Sequence, residues 1–172
     1  MRILLIGGDG QLGMSIKHSF KKKNIEIIAP NSKNLNLLNN ESVDKFFTNI
    51  KPEIVVNCAA YTNVDKAEID SKKASQINSE APKYLAKKIE EMKSFMIQIS
   101  TDYVFGDNVS GPFSNLDKTD PVNIYGETKR DGEVGIKSET SNFLIIRTAS
   151  LMSKFNGNFV SSIASKLLIN ED

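Results

Sequence analysis

The sequence predicts an α/β fold, a doubly wound parallel sheet of about five strands with helices on both faces. Two observations carry the expectation. Apolar runs short enough to be buried strands alternate with longer segments of helical periodicity. The triplet Gly7, Gly10, Gly13 follows the first of those runs directly, where a tight strand-to-helix turn belongs. At 172 residues the chain fits one domain, residues 1–172, large enough for a single core without a disulfide or metal framework.

The strands are expected at residues 2–6, 25–29, 54–57, 95–100 and 143–147. Between the first two, Leu12, Ile16 and Phe20 recur at i, i+4, i+8 and make the inward stripe of a helix. Val43, Phe46, Phe47 and Ile50 make the next, at i, i+3, i+4, i+7. A third helix spans 71–92 with Ala74, Ile77, Ala81, Leu85 and Ile89 inward, and Pro82 kinks or divides it because proline lacks a backbone donor. A fourth carries Tyr125 and Lys129. A fifth starts near Asn158, with Phe159, Ile163 and Leu167 on one side. Residues 106–123, rich in Gly, Pro, Asn, Ser and Asp, read as a long functional loop. The alternation stops after the fifth helix, where a further strand is its natural continuation.

Composition narrows the function classes. Net charge is +1 with both signs interspersed, so there is no electrostatic footprint for nucleic acid or an anionic membrane. The run Lys21, Lys22, Lys23 reads as the solvated end of a helix. The N-terminus lacks a signal-peptide layout and a membrane-spanning length. Cys58, the lone cysteine, sits in an apolar run and reads as a small buried hydrophobe. Together these predict a soluble cytoplasmic protein. His18, the single histidine, lies off the first helix's stripe and reads as a surface residue; no His-rich zinc site is available, and no metal is expected. Asp65, Glu68 and Asp70 fall in a loop-like stretch and read as solvated carboxylates.

The chemistry collects beyond the carboxyl ends of the strands, where open parallel sheets bind ligands. Glycines there let backbone N–H groups approach a diphosphate at a helix N-terminus. A nucleotide-triphosphatase loop needs Lys-Ser/Thr after its last glycine, and here Met14 and Ser15 follow Gly13. Asn57, Ala59 and Ala60 close the third strand, Ser100, Thr101 and Asp102 the fourth, and Arg147, Thr148 and Ala149 the fifth. Tyr125 and Lys129 stand one helical turn apart on one face. Carbonyl reduction needs a hydride, a proton donor and a group that polarises the carbonyl. Tyr125 fits as general acid, Lys129 as the cation that lowers the phenol's pKa and binds ribose, and Thr101 as hydrogen-bond donor to the carbonyl oxygen. No acid ends the second strand to take a ribose 2′-hydroxyl. Ser32 and Lys33 stand there instead, which favours NADPH over NADH.

Four strings then come together: Gly7-Gly8-Asp9-Gly10-Gln11-Leu12-Gly13, the run from Asn57 through Ala59, Ala60, Tyr61, Thr62, Val64 and Asp65 to Glu68, Ser100-Thr101-Asp102-Tyr103-Val104-Phe105, and Tyr125-Gly126-Glu127-Thr128-Lys129. In register over nearly the whole chain, they resemble the dTDP-4-dehydrorhamnose reductases of the extended short-chain dehydrogenase/reductase superfamily. The resemblance implies a Rossmann-like sheet and reduction of the 4-keto group of the nucleotide-linked sugar dTDP-4-dehydro-L-rhamnose by NADPH or NADH. It implies Thr101, Tyr125 and Lys129 as the catalytic trio. It places Thr62, Val64 and Tyr103 near the sugar, and Gly7, Gly10, Gln11, Leu12, Gly13, Ala59, Ala60, Tyr61 and Asn78 on the cofactor side. A homodimer is the assembly compatible with it.

Two departures stand out. After the fifth strand the family reads Arg-Thr-Ser-Trp-x-Tyr-Gly; this chain has Arg147, Thr148, Ala149, Ser150, Leu151, Met152 and no tryptophan. The family's smaller C-terminal lobe, which builds much of the sugar-nucleotide site, also lies beyond this sequence. Two alternatives follow: another extended short-chain reductase or epimerase for a different nucleotide sugar, and an NADP-binding regulatory subunit without turnover.

Overall fold

A computed structural model describes residues 1–20, 25–107 and 112–169. The lysine run at 21–23 and part of the 106–123 connection, residues 108–111, lie outside them. Five strands form one sheet in the order β2-β1-β3-β4-β5: β1 (Arg2–Ile6), β2 (Glu26–Ile28), β3 (Ile54–Asn57), β4 (Phe95–Thr101) and β5 (Phe143–Thr148). Every pairing is parallel, and the register sets Ile6 beside Asn57, Asn57 beside Gln98, and Thr101 beside Thr148. The order reverses between β1 and β3, so the carboxyl ends of those strands frame the crevice.

Side chains alternate across the pleat of β1. Leu4 and Ile6 join Val55 and Met96 beneath Val43 and Phe47 of α2 (Asn40–Ile50), Leu85 and Ile89 of α5 (Ala81–Met92) and Ile136 of α6 (Ile124–Glu139). Ile3, Leu5 and Val56 face the other way, against Ile16 of α1 (Gln11–Phe20). Sequence periodicity located both faces. The second face is covered only in part: Phe95, Leu144 and Ile146 are exposed. The stripe of α7 (Phe159–Ile169), Phe159, Ile163 and Leu167 on one side of the helix, is exposed, and no described element covers the side of β4 and β5 that carries Phe95, Leu144 and Ile146.

The 71–92 helix is one run with an irregular middle: α4 (Ser71–Ser75), a π turn over Gln76–Glu80, and α5. Pro82 has no N–H for the Asn78 carbonyl four residues back. The Ala81 N–H reaches Gln76 instead, five residues away, which widens the turn. The proline thus displaces the ladder just ahead of itself rather than dividing the helix. Residues 64–69, read as loop, form a short helix, α3 (Val64–Ile69), because Asn63 caps it by accepting the Lys66 N–H at 2.8 Å.

Candidate active site

The glycine turn opens the crevice. Gly7 has φ +75°, a backbone conformation glycine adopts without penalty. A Cβ on Gly13 would lie 2.3 Å from the Gly7 carbonyl oxygen, so only a hydrogen lets the first turn of α1 close against the loop. No acidic residue stands in that first turn; Asp9 pairs with Lys17 at 3.3 Å. The helix N-terminus is therefore free to face an anion. The Gln11 side-chain Nε2 is buried without a hydrogen-bond partner among the described residues, a donor in reserve at the same place. A diphosphate fits this cradle.

A cavity of about 850 Å³ runs from the turn across the ends of β3 and β4 to α6. Of the expected cofactor residues, Gly7, Gly10, Gln11, Leu12, Gly13, Ser32, Ala59, Ala60 and Lys129 line it, as do Thr62 and Thr101 of the substrate group and Tyr125. Others stand behind the wall or outside it. Asn78, 2% exposed, accepts the Tyr61 N–H on Oδ1 at 2.8 Å. Its Nδ2 donates to the Tyr61 carbonyl and to Thr128 Oγ1, both at 3.1 Å. From within the π turn it pins Tyr61 to Thr128 of α6. The Tyr61 hydroxyl is turned to Asp70 at 3.0 Å. Lys33 is exposed, its N–H held by Asn31 at 3.0 Å. Val64 opens α3, and Tyr103 is exposed, edge-on to Tyr125 with centroids 5.5 Å apart.

The helix that carries Tyr125 is fixed at its start by two acceptors. Asn123 Oδ1 takes the Gly126 N–H at 2.8 Å, and Glu68 takes the Ile124 N–H at 2.9 Å. A Cβ on Gly126 would come 2.2 Å from the Tyr103 carbonyl oxygen, so this glycine sets the close approach of α6 to the turn at Asp102–Val104. Lys129 is 5% exposed and donates to the Ile99 carbonyl at 2.7 Å. Burial brings its ammonium down to about 8, against the opposing pull of Glu133 and Cys58. Cys58 goes the other way: burial lifts its thiol to about 11, which leaves it inert.

Tyr125 corrects an expectation. Lys129 was expected to draw the phenol down, but burial dominates and holds it above its ordinary value. The neighbouring Thr101 hydroxyl lowers it, while Asp102 and Tyr103 raise it further. The physical reason is local: the phenol is desolvated, and the ammonium is committed to a β4 carbonyl. The trio is nevertheless assembled: Thr101, whose hydroxyl donates to Asp102 at 3.1 Å, and Tyr125 stand together on the cavity wall with Lys129 one turn below.

A glycine cradle for an anion and a Thr-Tyr-Lys cluster on one crevice invite comparison with known families. The profile described as the RmlD substrate binding domain matches residues 1–172. The chain belongs to this family. A Bacillus subtilis relative, spore coat polysaccharide biosynthesis protein SpsK, is 36% identical over 162 residues, 94% of this chain and 57% of the relative. The crystal structure of a dTDP-4-dehydrorhamnose reductase from Clostridium acetobutylicum superposes with a TM-score of 0.93 at 39% identity, covering 96% of this chain and 59% of that one. The Bacillus anthracis dTDP-4-dehydrorhamnose reductase, solved with NADP, gives 0.95 at 30% identity, covering 99% and 61%. The RmlD-family chain therefore spans a little over half the length of the curated relatives it matches.

Sequence reasoning missed two parts of the crevice in this RmlD-family chain. One is the far wall from the β2–α2 loop, where Pro30, Asn31, Leu35 and Leu37 line the cavity. Leu35 is 3% exposed although it lies in a loop, and the alternation Leu35, Leu37 among asparagines was the available signal. The other is the segment after β5, where Leu151, Asn156 and Gly157 close the near side and Asn156 Nδ2 donates to the Asp9 carbonyl at 3.1 Å. Ser150 and Met152 are exposed beside it. Among the described residues no helix is long and apolar enough to cross a membrane, and no cluster of three metal-ligating side chains occurs.

Proposed function

We propose that this chain is the dinucleotide-binding part of an NADPH-dependent reductase of the 4-keto group of a nucleotide-linked sugar, dTDP-4-dehydro-L-rhamnose being the substrate, in the cytoplasm. One observation carries the reading: Thr101, Tyr125 and Lys129 share a wall of the cavity whose other end is the glycine turn. Gly7, Gly10 and Gly13 with the Gln11 amide would hold the diphosphate, and Lys129 the ribose next to the nicotinamide. Ser32, on the cavity wall in the loop after β2 and with no acidic neighbour in that loop, favours a 2′-phosphate. The bound dihydronicotinamide supplies the hydride. Thr101 Oγ1 and the Tyr125 hydroxyl hydrogen-bond the ketone oxygen, and Tyr125 gives its proton to the oxygen as negative charge develops there. Thr62 and Tyr103 flank the sugar.

The names of the relatives support the sugar nucleotide, and their greater length supports a second lobe for its nucleotide half. By itself this length of chain binds NADPH better than it reduces sugar. The test is to mix the protein with NADPH and dTDP-4-dehydro-L-rhamnose and follow the reduced-nicotinamide absorbance band. Oxidation supports the reading. Tight NADPH binding without oxidation in the full-length protein points to a regulatory subunit. Turnover of other nucleotide sugars alone points to a different extended short-chain enzyme, the reading that exposed Ser150 and Met152 favour.

A further inference from the structure

Tyr125, Lys129 and Glu133 recur every fourth residue on α6 and face the end of β4, where Lys129 and Glu133 dock on the adjacent residues Ile99 and Ser100. Tyr125 shares the cavity wall with Thr101, Lys129 donates to the Ile99 carbonyl at 2.7 Å, and Glu133 Oε1 accepts from Ser100 Oγ at 2.6 Å. Glu133 is 2% exposed, and Arg147 of β5 grips it with Nε on Oε1 at 2.9 Å and Nη2 on Oε2 at 2.6 Å. The guanidinium is itself seated 4.9 Å from the centroid of the Phe105 ring, which stacks on Phe113 at 4.3 Å. A buried ion pair does little for net stability, because desolvation offsets the attraction. A carboxylate tied this firmly between two strand ends does fix a negative charge in space. Beyond the Arg147 guanidinium paired with it, the cation this charge reaches is Lys129, one turn back on the same helix. Its own hydrogen bond runs to a neutral carbonyl.

We propose that Glu133 is a positioning residue: an anchored counter-charge that keeps Lys129 cationic and holds α6 against β4, so that Tyr125 and Thr101 meet. Its relevance to turnover rests on the reductase reading above. The other groups facing Lys129 cannot replace it. Tyr125 on the same helix is a neutral phenol, the Cys58 thiol at the end of β3 stays protonated, and β4 offers a carbonyl. Asp102 and Tyr103, after β4, act on Tyr125.

The experiment titrates Lys129 by NMR in the protein carrying carbon-13-labelled lysine, with Lys129→Arg to assign the resonance. In Glu133→Gln, loss of the anion lowers the Lys129 midpoint by about half a pH unit or more, and Glu133→Asp recovers part of the shift. An unmoved midpoint in a Glu133→Gln protein that still melts cooperatively overturns the proposal; a purely structural role would lower the melting temperature and leave the midpoint in place. Should Glu133→Gln fail to fold, Glu133→Gln with Arg147→Met removes the ion pair as a unit, and its midpoint must lie below that of Arg147→Met alone, which keeps the anion. Turnover separates the two readings. A lowered midpoint in a protein without ketoreductase activity supports the Glu133–Lys129 link and sinks the reductase, whereas activity with an unmoved midpoint sinks this proposal alone.

Discussion

Gly13→Ala is the sharpest probe of the diphosphate cradle. The new methyl would sit 2.3 Å from the Gly7 oxygen, 2.6 Å from Gly8 Cα and 2.9 Å from Gly8 C, all backbone atoms of the turn itself. No side-chain rotation relieves such contacts, so the turn must open by about 1 Å and carry the first N–H groups of α1 with it. Overpacking of this kind costs about 1–3 kcal/mol. For a chain of this size that lowers the melting temperature by about 2–12 °C. Displaced N–H donors also weaken the hold on a charged phosphate, where each hydrogen bond is worth about 1.5–3 kcal/mol, so Kd for NADPH rises about tenfold or more. Calorimetric titration with NADPH and thermal melting give both numbers. Gly157→Ala, whose added methyl meets nothing within 4 Å, is the stability control. If Gly13→Ala binds NADPH like the unaltered protein and melts with the control, the cradle does not hold the diphosphate.

Three further outcomes follow from the site. Tyr125→Phe should abolish turnover in the full-length protein while changing NADPH affinity less than about threefold, measured by stopped-flow and fluorescence titration; retained turnover removes Tyr125 as the acid. Lys129→Met should raise the melting temperature at pH 7 while turnover collapses. The folded-state ammonium sits at about 8, against 10.5 for a lysine side chain in water. The unfolded chain therefore holds more protons between those values, and the native protein gains stability as pH rises through that window. Burying the cation thus costs about 3 kcal/mol below pH 8, less about 1 for the lost hydrogen bond to Ile99, so the variant's advantage should shrink towards pH 10 and a constant difference would refute it. Ser32→Asp should reverse the coenzyme preference by putting a carboxylate where a 2′-phosphate would lie; equal Kd values for NADPH and NADH before and after the change would deny Ser32 that role.

Much of this molecule was legible from local pattern. The boundaries of β1 and β3 coincide with their apolar runs, and those of β4 and β5 are missed by one residue at the end, where Thr101 and Thr148 pair across the sheet. Tyr125 and Lys129 share a face because four residues make about one helical turn. The region around Asp65 was misread because its helix is too short to show a period and is announced only by its Asn63 cap. The exposed side of α7 could not be read either. An apolar stripe says that a face prefers burial, and only the packing shows whether anything lies against it.

The sequence by itself determined the parallel architecture, the glycine turn and the identity of the three side chains on the crevice, since each follows from spacing along one segment. Only the tertiary structure decided how charged they are. The desolvation of Tyr125 and Lys129, the hand-off of the ammonium to Ile99, and the clasp of Glu133 by Ser100 and Arg147 join groups from three elements. Electrostatic energy depends on distance through space and on exclusion of water, neither of which is written in the order of residues.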